Sequence, residues 1–243
     1  MLSLIILVSA AASALCAALL CLILGPGRIG RISRPLSLVA VGFLLGLSLV
    51  HILPEACEEI EPHTAGLLAL AAILFLCAVE MCFNFHGRHR HHVALSSGGA
   101  GLLSGSFLHT LCDGVVIAGS YLSDVHLGLA VTAAVISHEI AHELGDFALM
   151  IECGLKPQQA FVVNAVALTG SLVGAVGGIL VLGSFSALLP YILALSGASF
   201  IYVALADLLP RMKVAESLSK MGAKMAFMLS GAALSLLLSL FEH

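Results

Sequence analysis

Charge is scarce in this chain of 243 residues, and tryptophan is absent. Only 10% of the residues are charged, whereas soluble domains contain about 25%, so the composition excludes a soluble globular protein. It also excludes a disordered chain, which needs low hydrophobicity and high net charge. The formal net charge of -4 gives no support to nucleic-acid binding.

The chain also lacks paired cysteine motifs. Its seven cysteines, which mostly fall inside apolar runs, are Cys16, Cys21, Cys57, Cys77, Cys82, Cys112 and Cys153. Because no two of them form a CxxC pair, neither a zinc ribbon nor a thioredoxin-like site is indicated. We expect them to pack as small apolar residues between helices. The N-terminus lacks the basic segment of a cleaved signal peptide, so we expect it to form the first membrane span.

Apolar sequence is what the chain has in excess, with 60% hydrophobic residues and a mean hydropathy of +1.12. A transmembrane helix needs about 20 apolar residues. The apolar runs are continuous rather than alternating, which favours helices over a barrel. The sequence therefore predicts an all-α membrane protein, a single polytopic domain with eight transmembrane helices. Their expected limits are residues 3–25, 36–57, 65–85, 99–122, 127–151, 158–183, 187–209 and 221–241.

The basic residues predict the orientation of these spans. All ten lie in the connections 1–2, 3–4, 5–6 and 7–8 or at their helix ends, while the opposite side carries acidic residues and no Lys or Arg. The positive-inside rule then places both termini on the non-cytoplasmic side, which could be the cell exterior or an organelle lumen. The 3–4 connection also contains a histidine tract, residues 86–92, which could bind metal loosely or be a solvated loop.

The fifth predicted span carries five ionisable side chains on one face. At about 100° per residue they occupy a stripe about 140° wide, and they are His138, Glu139, His142, Glu143 and Asp146. A charged residue at the bilayer centre costs about 2.5–3.5 kcal/mol on insertion scales. We therefore expect a function for this stripe in a chain that is otherwise so apolar.

A smaller polar cluster lies on the fourth predicted span, where His109 and Asp113 are four residues apart and share a face. Imidazoles and carboxylates that converge from adjacent helices would form a divalent-metal site, because imidazole suits zinc and the carboxylates neutralise its charge. The same residues could instead form a hydrogen-bonded polar core or a proton relay without metal.

Residues 138–142 also match HExxH, the motif in which a metalloprotease holds zinc with two histidines and uses the glutamate as general base. Intramembrane zinc proteases need a further acidic ligand, usually on a later helix, whereas the comparable Asp113 comes earlier in this chain. An intramembrane HExxH zinc metalloprotease is therefore one alternative. A metal-gated sensor or scaffold without flux is another.

Several segments resemble the ZIP (Zrt/Irt-like) family of metal transporters, especially the subfamily whose fifth helix reads HExPHExGD. Residues 138–146 read HEIAHELGD, and residues 109–114 read HTLCDG where the fourth helix of the family has HNFxDG. The end of the second span, residues 51–56, and the seventh span, residues 197–210, are similar to the family as well. The resemblance covers almost the whole chain.

This resemblance implies a metal centre, often with two metals, built from helices 4 and 5. Carried over onto this sequence, the metal ligands are His109, Asp113, His138, Glu139 and His142. Thr110 stands where the family has Asn, Ala141 replaces Pro, and Ser171 stands where some members have Glu. The second metal position therefore stays open.

The resemblance further implies a transporter, and not an enzyme, that moves divalent metal into the cytoplasm by alternating access within a homodimer. Zn²⁺ is the expected transported substrate, with Fe²⁺, Mn²⁺ or Cd²⁺ as alternatives, and no organic cofactor is expected. We expect an integral multi-pass protein of the plasma membrane or of an organelle membrane. Because no ATP-binding motif is present, we do not expect ATP hydrolysis by this chain to drive transport.

Overall fold

The computed structural model of the protein describes residues 1–24, 26–88, 95–152, 155–210 and 217–239. Within these residues the chain forms eight helical rods and no strand, which confirms the all-α class for the part described. The rods are α1 (Leu2–Leu24), α2 (Pro26–Leu47, continued by Ser48–Ile52 and Leu53–Glu59), α3 (Pro62–Arg88), α4 (Leu95–Ser123), α5 (Val125–Glu152), α6 (Pro157–Ser184), α7 (Leu189–Tyr202, continued by Val203–Leu208) and α8 (Leu218–Ser239).

The second helix begins earlier than the sequence predicts. It starts at Pro26, whereas the apolar run suggests a start at residue 36, and Pro35 lies inside the helix. The apolar run marks the part of a helix that can lie in lipid. A backbone helix keeps its own hydrogen bonds beyond that boundary, through the polar residues that precede it.

Two π turns widen helices α2 and α7, at Ser48–Ile52 and Val203–Leu208. Each turn ends two residues before a proline, Pro54 in α2 and Pro210 after α7. Proline has no N–H to donate to the carbonyl four residues earlier, which is a local cause of the wider turn. Turns of this type are rare and often occur at functional sites.

Two pairs of helices pack most extensively, α4 against α6 and α2 against α8. Helix α5 packs against α2, α1 and α4, most extensively against α2. A Cβ added at Gly174 of α6 would overlap the carbonyl oxygen of Leu111 in α4, and one at Gly42 of α2 would overlap that of Met228 in α8. Small residues thus allow the backbones to approach closely, as is common between membrane helices.

Three helical stretches in the described part of the chain are long and apolar enough to cross a membrane. They are Pro35–Glu59, Pro157–Ser184 and Leu189–Ala206. Large apolar side chains such as Leu74, Phe75 and Leu180 are exposed on the outer surface, as expected for a surface that faces lipid. Helix α5 has ample length, but acidic residues interrupt its apolar sequence. That all eight rods cross the membrane stays a prediction, as does the side on which the termini lie.

Candidate metal centre

The five predicted ligands lie on two neighbouring helices. His109 and Asp113 are one turn apart on α4, while His138, Glu139 and His142 lie on α5. A single residue, Asp124, separates α4 from α5 along the chain. Ser106 of α4 contacts Glu143 of α5, and Asp113 of α4 contacts His138 of α5, so the two helices run antiparallel and their polar faces meet.

Four of these side chains converge on one point. The Nε2 atom of His138 lies 3.1 Å from Oδ2 of Asp113. The Nε2 atom of His109 lies 3.7 Å from the same Asp113 oxygen and 3.6 Å from Oε1 of Glu139. All four ligand atoms fall within 4.8 Å of one another. We call His109, Asp113, His138 and Glu139 the four-residue cluster.

Several ligand-atom separations within the four-residue cluster are close to those around a tetrahedral cation. Zinc bonds of about 2.0–2.2 Å place neighbouring ligand atoms of a tetrahedron about 3.3–3.6 Å apart. Three separations observed here, of 3.1, 3.6 and 3.7 Å, lie on either side of that range. Two imidazoles supply nitrogen ligands, and two carboxylates match the charge of a divalent ion. The arrangement can therefore hold one divalent cation of the zinc type.

Burial makes the negative charges of this cluster unfavourable unless they are compensated. Asp113, His138 and Glu139 are buried, whereas the His109 side chain is 22% exposed. Carboxylates that are withdrawn from water are unfavourable unless a cation or hydrogen bonds compensate them. A divalent cation between the two carboxylates would provide this compensation, and His109 marks the more open side of the cluster.

Two neighbours that the motifs do not reveal orient His138. Its Nδ1 atom lies 3.1 Å from the carbonyl oxygen of Ala134. In the tautomer with the proton on Nδ1, that N–H donates to the carbonyl and leaves the Nε2 lone pair directed toward Asp113, as is common for metal-binding histidines. Phe200 of α7 packs against the ring in a T-shaped contact, with centroids 5.7 Å apart. An apolar residue on a distant helix carries no signal in the sequence that would select it.

His142, the fifth predicted ligand, lies beside the four-residue cluster. Its ring stacks on that of His109, with centroids 5.2 Å apart and an interplanar angle of 27°. The group whose ligand atoms all come together does not include it. The structure thus brings four of the five predicted side chains together and places the fifth against His109.

Thr110 and Ser171, the residues considered for a second metal position, form hydrogen bonds between helices. The Thr110 hydroxyl donates to the carbonyl oxygen of Ala167 in α6 at 2.7 Å. The Ser171 hydroxyl lies 3.4 Å from the carbonyl oxygen of Ala10 in α1 and donates to it. These two contacts give Thr110 and Ser171 a role in joining α6 to its neighbours.

Of the other features that the sequence singled out, the structure describes the end of α2, but not the side chains of the histidine tract or of Asp146. At the end of α2, Oε1 of Glu55 accepts a hydrogen bond of 2.9 Å from the hydroxyl of Ser123 in α4, and His51 is buried within the π turn of α2. The side chains of the histidine tract at residues 86–92 lie outside the part that the structure describes, as does that of Asp146.

The fold and the four-residue cluster together define a class of protein. It is a helical membrane protein with a centre of imidazoles and carboxylates between two of its helices. Residues 86–239 match the family described as ZIP zinc transporter, and the chain belongs to this family. The resemblance inferred from the motifs is thereby confirmed. The chain is an integral membrane protein from a family of transporters, and not from a family of enzymes, so the HExxH protease alternative is not favoured.

Curated relatives agree with this assignment. The chain is 33% identical over 142 residues to Zinc transporter foi of Drosophila melanogaster. It is 34% identical over 149 residues to Zinc transporter ZIP6 of Homo sapiens and 38% identical over 105 residues to Metal cation symporter ZIP14 of Mus musculus. These matches cover 58%, 58% and 43% of this chain, and 20%, 20% and 21% of the relatives. The chain therefore spans about a fifth of the length of the curated relatives it matches.

Proposed function

We propose that this chain carries a divalent metal ion, with Zn²⁺ as the main substrate, across its membrane into the cytoplasm. The observation that carries the proposal is the four-residue cluster of α4 and α5, in which two imidazoles and two carboxylates meet within 4.8 Å. The relatives named zinc transporter support zinc as the cargo. The relative named metal cation symporter supports a metal cation more generally, and Fe²⁺, Mn²⁺ and Cd²⁺ are the competitors that we would test.

The proposed mechanism is alternating access around the four-residue cluster. In this mechanism α1, α4, α5 and α6 move as one group against α2, α3, α7 and α8. Two contacts lie where the groups meet, the packing of Phe200 on His138 and the hydrogen bond from Ser123 to Glu55. Movement of one group past the other would break both contacts and expose the cluster to one side of the membrane at a time. We also propose that the chain assembles as a homodimer. A molecular mass in detergent that corresponds only to the monomer would contradict this assembly.

Uptake by purified protein tests the transport proposal directly. Proteoliposomes that contain a zinc-sensitive dye and no ATP are expected to take up external Zn²⁺ down its gradient, whereas protein-free liposomes do not. Binding of Zn²⁺ without uptake would favour the sensor alternative. Cleavage of a membrane-spanning peptide in the same preparation would favour the protease alternative.

The proposed orientation has both termini outside the cytoplasm and the connection between α3 and α4 inside it. In a cysteine-free background at the plasma membrane, we expect Ser96→Cys to resist an impermeant thiol reagent in intact cells. Glu58→Cys, exposed at the far end of α2, serves as the matched position on the other side and should label at once. Labelling of Ser96→Cys together with protection of Glu58→Cys would reverse the orientation.

A further inference from the structure

An apolar groove with a volume of about 240 Å³ lies between α2 and α8, and we call it the α2–α8 groove. Nine residues line it, and all of them are apolar. Among them Leu49 of α2 is 57% exposed and Leu229 of α8 is 62% exposed, so the groove opens onto the outer surface of the protein. Met225 and Met228 also line it, and unbranched methionine side chains adapt to irregular apolar partners. The α2–α8 groove can therefore hold a flexible apolar chain.

The two helices that form the groove run parallel. A Cβ added at Gly42 of α2 would overlap the carbonyl oxygen of Met228 in α8, and one added at Gly46 would overlap the hydroxyl of Ser235. The contact thus advances along α8 as it advances along α2. Both helices therefore begin at the same end of the groove, which the proposed orientation makes the cytoplasmic end.

Two lysines continue the groove face of α8 toward that end. Lys220, Lys224, Met228 and Ala232 recur at intervals of four residues, which places them along one side of the helix, and the last two line the groove. Lys220 is exposed and Lys224 is partly exposed. Each lysine also interacts within the chain, and an ammonium with three N–H donors can bind a phosphate oxygen in addition. Positive charge thus stands at the cytoplasmic end of the groove.

Further basic residues belong to the same end of the two helices. Arg34 precedes Gly42 on α2 by eight residues, just as Lys220 precedes Met228 on α8. Because α2 and α8 run parallel, these two backbone positions lie at about the same level. Residues 211–224 contain four basic residues and one acidic residue. Clusters of Lys and Arg beside the cytoplasmic end of a membrane helix attract anionic lipids, so this end favours a negatively charged headgroup.

A single acyl chain suits the α2–α8 groove better than a second copy of the protein does. A helix with its side chains is about 10–12 Å wide and cannot enter a space of about 240 Å³. A second copy in the same membrane would also have the same orientation. A two-fold contact through this groove would then bring the lysines of both copies to the same end of the interface, where like charges oppose association.

We propose that the α2–α8 groove and the two lysines bind an anionic phospholipid, with one acyl chain in the groove and the phosphate beside Lys220 and Lys224. Of the proposals made above, this inference uses only the orientation, which makes the lipid one of the cytoplasmic leaflet. The bound lipid contacts α2 and α8 at once. Because a ligand of the folded protein stabilises it, the lipid strengthens the packing of these two helices.

Native mass spectrometry of the purified protein in detergent tests the site. We expect phosphatidylglycerol to bind at least about tenfold more tightly than phosphatidylcholine with the same acyl chains, because each lysine near a lipid headgroup contributes about fivefold. Lys220→Gln combined with Lys224→Gln should remove most of this preference. Leu229→Trp, which fills the groove, should weaken both lipids about fourfold or more, the effect of leaving one CH₂ group of the acyl chain unburied. The matched controls are Lys156→Gln and Leu180→Trp, changes of exposed residues at and within α6, and both should bind as wild type does.

Three results would overturn the lipid site. The first is equal binding of phosphatidylglycerol and phosphatidylcholine by the wild-type protein. The second is wild-type binding by both the double lysine variant and Leu229→Trp, which would place the lipid elsewhere. The third is loss of a dimer in Leu229→Trp with unchanged lipid binding, which would make the groove a contact between copies. Binding in detergent involves no flux, so absence of zinc uptake would overturn the transport proposal alone.

Discussion

Replacement of Asp113 by asparagine is expected to reduce zinc uptake to the background of protein-free liposomes. Oδ2 of Asp113 approaches both His138, at 3.1 Å, and His109, at 3.7 Å, so this oxygen joins the two imidazoles of the cluster. Asparagine keeps the shape of the side chain but removes its charge, which leaves Glu139 as the one carboxylate of the four-residue cluster. We expect zinc binding to weaken by at least about a hundredfold, which corresponds to about 2.8 kcal/mol.

Asp124→Asn is the matched control for this change. Asp124 accepts hydrogen bonds from the backbone N–H groups of His126 and Leu127 at the start of α5, and asparagine caps helices about as well as aspartate. Uptake by Asp124→Asn should stay close to wild type. Uptake by Asp113→Asn within a factor of about three of wild type would show that the cluster does not hold the transported ion.

The change His138→Glu is expected to shift the preference of metal uptake from zinc toward manganese. His138 is completely buried and contributes a borderline-soft nitrogen beside Asp113. A carboxylate in its place makes the site harder and more negative, which favours Mn²⁺ relative to Zn²⁺. We expect zinc uptake to fall without vanishing, because His109, Asp113 and Glu139 remain, and the zinc-to-manganese ratio to fall about tenfold, equivalent to about 1.4 kcal/mol.

Uptake of labelled Zn²⁺ and Mn²⁺ from one mixture measures this ratio directly. The control His126→Glu makes the same exchange at an exposed position in the first turn of α5 and should leave the ratio unchanged. An unchanged ratio in His138→Glu would mean that His138 orients other groups and does not set selectivity.

The polar faces of α4 and α5 could be predicted from the sequence because the periodicity of a helix is regular. The spacing of His109 and Asp113, and of His138 and His142, places each pair on one side of its helix. The all-α membrane fold could be predicted for a different reason, because apolar runs that are continuous rather than alternating favour helices over a barrel. What periodicity cannot supply is the rotation and separation of two helices, so it cannot tell that His142 stacks on His109 while Glu139 joins the cluster.

Tertiary packing also decides the features that the sequence leaves open. The π turns of α2 and α7 depend on how each helix packs beside a nearby proline, Pro54 within α2 and Pro210 after α7, and apolar patterning carries no signal for them. Likewise, Ser106 is one of many serines in the chain. Its hydrogen bond to Glu143 becomes visible only when α4 and α5 are placed side by side.

We propose above that the side chains of the four-residue cluster bind the transported metal together. Anomalous diffraction from crystals of the zinc-loaded protein, recorded on both sides of the zinc absorption edge, tests it most directly. We expect a strong peak between α4 and α5, within about 2.0–2.2 Å of a nitrogen or oxygen atom of His109, Asp113, His138 and Glu139. Zinc bound elsewhere in the protein, with no anomalous peak between these four side chains, would contradict it.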